Sequence, residues 1–157
     1  MEIMIVFIII AVMSGFAVKP ISAMVQRIKL KNAADGIKHH ILNARVKAMA
    51  NSERRCGVVF RVHASASVND TIRSFLDKNP SDNIYTAGVD SLYLAPYVIR
   101  KDRDKIMVSI PQGYPSVIVF RADGSANASA RLVLTLKNFK DTVEVLASTG
   151  RVRTGGK

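Results

Sequence analysis

The chain has 157 residues, which is long enough for one compact domain with an appended segment. Its 23 Lys and Arg outnumber its 12 Asp and Glu and give a formal net charge of +11, which favours contact with anionic lipid or other polyanions. Cys56 is the only cysteine, so an intrachain disulfide is excluded and packing alone must stabilise the fold.

The chain opens with an apolar run, Ile3–Val18, that contains no charged residue and directly follows Glu2. At a helical rise of 1.5 Å per residue this run is about 24 Å long, short of the roughly 30 Å hydrocarbon layer of a bilayer. A signal peptide is disfavoured because no Lys or Arg precedes the run and no good cleavage site follows it. A membrane span and a buried core helix both remain open on composition alone.

After Pro20 the pattern becomes amphipathic and continues to Asn51–Ser52, where the helix is expected to end. Apolar residues recur at spacings of three, four or their multiples, which predicts one apolar stripe along a long helix. Pro20 is expected to kink this helix, and Gly36 is expected to weaken it. The predicted stripe consists of Ile21, Met24, Ile28, Ala34, Ile37, Ile41, Ala44 and Ala48.

Residues 56–157 alternate between short β-prone runs and turn-forming clusters, which predicts a β-rich head. Pro96 places its strand at an edge or a bulge, and Ala122–Ser125 indicates a hairpin turn. Asp70–Asp77 is predicted to form a short helix, and the tail 148–157 runs out in Gly and charge. The predicted strands are Cys56–His63, Ser91–Arg100, Lys105–Ile110, Val117–Arg121, Arg131–Lys137 and Thr142–Leu146.

Together these patterns predict an α+β fold. A long N-terminal helical stem over residues 1–55, apolar over 1–20 and amphipathic over 21–55, is expected to pack on the head. The head, residues 56–157, is expected to be an antiparallel β-sheet or two packed sheets.

The stem resembles the N-terminal segment of the type IV pilin and pseudopilin superfamily. Mature subunits of that family begin with a methylated residue, reach a Glu a few positions later, continue in an aliphatic run, and carry a Pro where the helix leaves the membrane. Glu2, Ile3–Val18 and Pro20 follow this order. The resemblance implies that residues 1–20 form a transmembrane segment that becomes the filament core. It also implies that the recorded start lies a few residues inside the mature N-terminus, without the basic leader.

By the same resemblance Glu2 lies in the hydrophobic layer of the filament and compensates the N-terminal amine of a neighbouring subunit. An uncompensated carboxylate in hydrocarbon costs several kcal/mol, and a helix N-terminus favours negative charge. The alternative for Glu2 is a position in the lipid headgroup layer. The assembly residues implied by the resemblance are Glu2, Ile5, Ile8, Ile9 and Pro20.

The segments Val117–Ser125 and Val143–Arg153 in the head resemble the GspH/FimT family of pseudopilins. This resemblance implies a structural subunit of a type IV pilus-like or type II secretion filament, and it separates neither pilus from pseudopilus nor major from minor subunit. The implied partners are copies of the chain, other pilins and pseudopilins, the prepilin peptidase and the inner-membrane assembly platform.

The implied location is the bacterial inner membrane as a single-pass protein with its head outside the cytoplasm, and afterwards a periplasmic or extracellular filament. The positive charge after the apolar run, taken alone, would instead place the head in the cytoplasm. The orientation therefore depends on the resemblance.

A second function follows from the likeness of Gly150–Arg153 to FimT-like proteins, which implies DNA capture. Contacts from this segment would go to phosphates and would be weak, salt-dependent and independent of sequence. No aromatic residue interleaves the basic ones, so base stacking is not expected, and a solvated tail is the alternative. The candidate residues are Arg151, Arg153 and Lys157, with Lys137 and Lys140 expected nearby.

No catalytic or cofactor-binding motif occurs in the sequence. It has no Gly-Lys-Ser phosphate loop, no His-Glu-x-x-His, no Gly-x-Ser-x-Gly and no Cys-x-x-Cys. The adjacent His39 and His40 cannot share one helix face as a metal pair and are expected at the surface or at an edge. Cys56 is expected to be a small buried apolar residue. The sequence therefore predicts no enzymatic activity, no cofactor and no metal site.

Overall fold

The long helix and the strands are defined in a computed structural model that describes residues 2–51, 54–65, 67–78, 82–99 and 101–156. Within these ranges the side chains of residues 2, 3, 5, 8–20, 102 and 156 lie outside the description. The elements are α1 Glu2–Ala50, β1 Cys56–Arg61, β2 Asp70–Leu76, β3 Ser91–Leu92, β4 Tyr97–Ile99, α2 Lys101–Asp104, β5 Met107–Ser109, β6 Val117–Phe120, β7 Ala130–Leu136, β8 Phe139–Val145 and β9 Val152–Gly156.

Helix α1 runs without interruption from Glu2 to Ala50 and continues through Pro20. At its end the N–H of Asn51 donates to the carbonyl of Lys47 at 3.1 Å. The C-terminal half of α1 packs against strands of both sheets. The α+β architecture predicted from the sequence, a long N-terminal helix on antiparallel β-structure, is therefore confirmed.

The strands form two antiparallel sheets. The first has the order β3-β2-β1-β6, with β4 also pairing with β2, and the second has the order β5-β7-β8-β9. In the first sheet Cys56 lies opposite both Leu76 and Phe120, and in the second Val145 lies opposite Val152. Of the two arrangements that the sequence left open, the two-sheet head is the one formed.

The core lies where α1 meets the inner faces of both sheets. In β7 and β8 alternate residues point inward, because side chains alternate between the faces of a strand. The helix contributes Leu30, Ala33, Ala34, Ile37, Ile41, Ala44 and Ala48, and the sheets contribute Cys56, Val58, Phe60, Ile118, Phe120, Leu132, Leu134, Val143 and Val145.

The segment Asp70–Asp77, predicted as a short helix, forms strand β2 instead. Every residue from Thr71 to Leu76 pairs with β1 in an antiparallel ladder. The polar residues at its start suggested a helix cap, but the side chain of Asp70 is buried in an ion pair with Lys101. The helix prediction was wrong because pairing with β1 outweighs the local preference of the segment, and that preference was judged on the segment alone.

Ala122–Ser125 forms the expected tight turn but not a hairpin between neighbouring strands. Gly124 donates to the carbonyl of Arg121 at 2.9 Å, and Arg121 donates to that of Ser125 at the same distance. The chain then leaves β6 in the first sheet and enters β7 in the second, after one isolated bridge from Phe120 to Ala126. The turn residues specify the reversal, whereas the aliphatic face of β7 specifies the sheet that it joins.

Two further predictions concern the edges of the sheets. The strand predicted around Pro96 is divided into β3 and β4, which both pair with β2, in keeping with the edge position expected for a proline-containing segment. The tail beyond Ser148 does not run out as a loop, because its last residues form β9 against β8.

Gly36 and His40 differ from their predicted roles. A Cβ at Gly36 would lie 2.5 Å from Cζ of Tyr97, so this glycine lets the Tyr97 ring approach the helix backbone. His40 is only 8% exposed, with its ring centroid 5.6 Å from that of Tyr97 and Nδ1 3.4 Å from Oγ of Ser74. The surface position predicted for His40 is therefore wrong, and Gly36 is a packing position.

Candidate functional site

The apolar residues of α1 form two faces rather than the single predicted stripe. Ile37 is fully buried against the head, whereas Ile28 is 46% exposed. The two residues are nine positions apart, which is about two and a half helical turns, so they lie on opposite sides of the helix. The prediction considered only the spacings of three and four between successive apolar residues. It did not add up the rotation about the helix axis over the whole stretch, and it therefore assigned residues of two faces to one stripe.

The exposed face lies on the side of the helix opposite the buried one, and Val25 at its edge also lines a cleft with Lys105 and Leu136 of the head. Its members follow the i, i+3, i+4, i+7 spacing of one side of a helix, and between 46% and 64% of each residue is exposed. We call this set the far face; it consists of Ile21, Met24, Val25 and Ile28. About half of each of these side chains therefore remains exposed in the single subunit.

The same side of α1 carries a second exposed apolar pair near the C-terminal end of the helix. Val46 lies eighteen residues beyond Ile28, which is about five full turns, and is 58% exposed. Met49, close to it, is 43% exposed. Polar residues separate this pair from the far face, namely Asn32, Asp35 and His39.

The N-terminal assembly residues predicted from the resemblance lie in the first part of α1. The backbone of Glu2, Ile5, Ile8, Ile9 and Pro20 is helical, and the side chains of all five lie outside the described residues. Met4, Val6 and Phe7, which are described, are exposed. Within the described residues no helical stretch is apolar enough over sufficient length to cross a membrane.

The Gly-Arg-Val-Arg segment is held in place by its glycine and its valine. Gly150 has a φ of +59°, and a Cβ there would lie 2.0 Å from the carbonyl oxygen of Gly124, so no other residue fits. Val152 is 9% exposed and pairs with Val145. Because neighbouring side chains of an extended segment point to opposite sides, Arg151 and Arg153 both face outward.

On the outer face of the second sheet, Arg153 extends a row of charged residues across three strands. Arg131 lies opposite Glu144, which lies opposite Arg153. The guanidinium of Arg131 donates to the Glu144 carboxylate at 2.8 Å and lies 5.6 Å from the centroid of the Tyr114 ring. An aromatic ring therefore does accompany one arginine of this row, which the sequence did not reveal.

The lysines expected near Arg151 do not lie close to it. Lys137 and Lys140 flank the β7–β8 turn, whereas Arg151 lies beside Leu146 at the other end of β8. Six residues of strand, about 20 Å, separate the two ends. Lys157 lies outside the described residues. Of the residues that the structure describes, Arg151 and Arg153 therefore remain together, with Arg131 on the same face, and Lys157 stays a prediction.

A buried ion pair between Lys101 and Asp70 received no role from the sequence. Their Nζ and Oδ1 atoms are 2.8 Å apart, and each side chain is 2% exposed. Lys101 Nζ also donates to the carbonyls of His63 and Ser65, and Asp70 accepts the N–H of His63 at 2.8 Å. The pair is enclosed and ties α2 to the β1–β2 connection, so its role is structural. Its partners lie too far apart in sequence for any local signal.

Little in the described residues favours catalysis. No three His, Cys, Asp or Glu side chains among them converge on a point where they could hold a metal ion. Cys56 is fully buried, as predicted, and burial raises the pKa of its thiol to about 11. The thiol is therefore protonated at neutral pH and unreactive.

The comparisons with known proteins concern the fold. No protein-family profile and no curated protein matches the chain. Among solved structures it is similar to the type IV minor pilin FimU of Pseudomonas aeruginosa strain PAO1, with a TM-score of 0.59 at 12% identity over 84% of this chain and 92% of FimU. A second crystal form of FimU gives 0.54 at 11% identity over 80% and 92%. At such identities the similarity establishes a pilin-like fold.

Proposed function

We propose that the protein is a structural subunit of a type IV pilus-like filament, assembled through α1. The observation that carries the proposal is the far face, an apolar surface on the side of the helix opposite the one buried against the subunit's own head. The pilin-like fold supports it, because FimU, which shares that fold, is a type IV minor pilin. The proposal covers a pilus and a type II secretion pseudopilus alike.

Burial of the far face provides the free energy for assembly. About half of each of its side chains remains exposed, so covering the rest contributes about 1 kcal/mol per residue, and several kcal/mol per subunit contact. The head-facing side of α1 is already occupied, so a neighbouring stem can approach only from the far side. The helix is thus divided between folding and association.

In this proposal residues 1–20 hold the subunit in the bacterial inner membrane, with the head outside the cytoplasm, until the stem moves into the filament core. Ile5, Ile8 and Ile9 then exchange lipid for neighbouring stems, and Glu2 neutralises an N-terminal amine of another subunit. We expect Glu2→Ala to leave the protein membrane-bound while filament formation is lost. Normal filament yield from that variant would remove the role assigned to Glu2.

A matched pair of substitutions tests the far face directly. Ile21 is 60% exposed on α1, and Ile84 is 58% exposed in a loop of the head. Ile21→Lys should lower filament yield at least tenfold, because a charge would enter the stem contact, whereas Ile84→Lys should assemble normally. Both variants should retain the wild-type unfolding midpoint. Filaments in normal amounts from Ile21→Lys would contradict the proposal.

The arrangement of Arg151 and Arg153 supports DNA binding as a second candidate function. Gly150 and Val152 hold the two guanidinium groups on one outward side, beside Arg131. Such a group can contact successive phosphates of a duplex, with little preference for sequence.

Titration of the full chain with duplex DNA at two salt concentrations tests this second function. Arg151→Ala with Arg153→Ala should weaken binding and reduce the slope of log K against log salt by about 2, since two phosphate contacts are lost. Arg54→Ala with Lys78→Ala, which removes the same charge elsewhere on the surface, should change the slope less. Equal losses from both pairs, or no binding by the wild type at low salt, would end the proposal.

A further inference from the structure

We propose that the end of the head nearest the apolar part of α1 is a docking surface for an anionic phospholipid bilayer. This inference rests on the proposed function, because it places the apolar part of α1 in a membrane. It adds a contact between the head itself and the lipid headgroups, made before the subunit enters a filament.

The surface is built where α1 leaves the head. On one flank of the helix a cleft is lined by Arg27, Lys31 and Lys140, and on the other flank a second cleft is lined by Lys29, Lys105 and Lys137, with Arg103 beside them. We call these seven side chains the collar. The carboxylates that line the same clefts are Asp35, Asp141 and Asp104, so basic groups outnumber acidic ones.

The collar is part of the folded head rather than a charged tail. The Arg27 guanidinium lies 4.9 Å from the centroid of the Phe139 ring, which fixes this side of the helix to the β7–β8 turn. Lys137 is the first residue of that turn and has a φ of +53°. Lys105 follows α2 directly, with its N–H bonded to the carbonyl of Lys101 at 3.1 Å. Basic side chains on α1 and on the head therefore lie around one section of the helix.

The collar begins just beyond the depth of lipid headgroups. Its first residue on α1, Arg27, lies about 14 Å along the helix from Val18, where the apolar run ends. The headgroup layer is roughly 5 to 8 Å thick, and the Debye length at physiological ionic strength is about 8 Å. When the apolar run is embedded in a bilayer, the near side of the collar therefore lies within about one Debye length of the headgroups and feels their surface potential.

Charge complementarity selects lipid over another copy of the chain. The chain carries a formal net charge of +11, so a second copy is on balance repelled by the collar, whereas an anionic bilayer attracts it. A bilayer lies across the helix and can contact both flanks at once, which suits basic groups that surround α1. Each basic side chain near an anionic bilayer raises the equilibrium constant for docking by about fivefold.

The experiment uses the full chain reconstituted in vesicles, with one fluorescent label. Asn138 is exposed and uncharged in the collar turn, and Ser148 is exposed at the opposite end of β8. Asn138→Cys and Ser148→Cys can each be labelled selectively because Cys56 is fully buried. Quenching by a headgroup-attached quencher then reports which end of the head contacts the bilayer.

We expect quenching at Asn138 to be at least threefold stronger in vesicles with phosphatidylglycerol than in pure phosphatidylcholine, to disappear at high salt, and to be absent at Ser148. The triple variant Lys105→Glu, Lys137→Glu, Lys140→Glu should lower the docked fraction more than tenfold. The matched triple Arg54→Glu, Lys78→Glu, Arg121→Glu, which makes the same change of net charge at exposed positions outside the collar, should retain docking.

Flotation of the vesicles separates this inference from the proposed function. If the protein inserts but quenching at Asn138 is equal in both lipids, or if both triple variants lose docking equally, the collar is not a docking surface. The filament proposal is unaffected by either result. Failure of the chain to float with vesicles of either composition overturns the membrane stage of the proposed function, and the collar with it.

Discussion

Two segments of α1, residues 21–28 and residues 30–48, both carry apolar side chains at helical spacing but have opposite relations to the head. From Leu30 to Ala48 most apolar side chains, though not that of Val46, are buried against the two sheets, whereas those of the far face, from Ile21 to Ile28, are exposed on the other side of the helix. The comparison shows that apolar residues on one helix can serve both folding and association. Which purpose a given residue serves depends on its angle about the helix axis, because the head covers one side only.

The sharpest test of this comparison is the same substitution in both segments. Ile37→Asp should lower the free energy of unfolding by at least 4 kcal/mol, because it places an unpaired charge in the core. Ile28→Asp, on the far face, should change it by about 0.5 kcal/mol or less while lowering filament yield. Urea unfolding of both variants measures the difference, and similar unfolding free energies would show that the division of α1 is wrong.

A smaller effect on stability is expected at Gly36, the glycine against which the Tyr97 ring packs. Gly36→Ala in an isolated helix would stabilise it by about 1 kcal/mol, but here the added methyl group meets the Tyr97 ring at 2.5 Å. We expect the folded protein to lose about 1 to 3 kcal/mol. Combining the change with Tyr97→Ala should make Gly36→Ala neutral or stabilising in that background. A stabilising Gly36→Ala in the wild-type background would show that this contact is loose.

Arg45 should contribute less to the free energy of unfolding than the packing at Gly36 does. Its Nε donates to the carbonyl of Gly124 at 3.1 Å and so ties the docked half of α1 to the β6–β7 turn. Arg45→Met should lower the free energy of unfolding by about 1 to 2 kcal/mol, since a charged donor is lost from a partly buried carbonyl. Lys31→Met, an exposed position on the same helix, is the control and should shift the unfolding midpoint little.

The smallest expected effect is a pH dependence from His40. Burial, with a lesser contribution from neighbouring His39, lowers the pKa of His40 below its usual 6.5. The unfolded chain therefore binds this proton more readily, so the stabilising contribution is present above pH 6.5 and decreases as the pH falls towards the lowered folded-state pKa. Unfolding midpoints measured between pH 7.5 and 5 should show this decrease in the wild type and less of it in His40→Gln. An identical profile for both would exclude His40 as its source.

Alternating apolar residues and turn-forming residues predicted those parts of the head whose structure is determined within a short stretch of the chain. Leu132, Leu134 and Leu136 alternate inward as their spacing indicates, and Ala122–Ser125 makes its turn. The partners of these segments were not predictable in the same way. β2 is a strand because β1 pairs with it, and β9 is a strand because β8 offers an edge. Pairing with another strand, even the preceding one, leaves no periodic signal within the segment itself.

The candidate site was predicted in part for the same reason. The sequence identified the apolar residues of α1 and the basic Gly-Arg-Val-Arg segment, but it merged Ile28 with Ile37 and placed Lys137 near Arg151. The structure separates both pairs, the first by rotation about the helix and the second by the length of β8. The assignment of Glu2 and of the membrane segment stays a prediction, since their side chains lie outside the described residues.

The sequence by itself determined that this protein has a long helix that is apolar in its first part and a head of short antiparallel strands. Hydrophobic periodicity and turn residues act over short stretches of the chain, so both can be recognised in the sequence alone. Only the tertiary structure decided which side of the helix the head covers, and therefore which apolar residues remain for a partner. The side of α1 that is covered depends on how the two sheets pack against the helix. No single segment of the chain determines this packing.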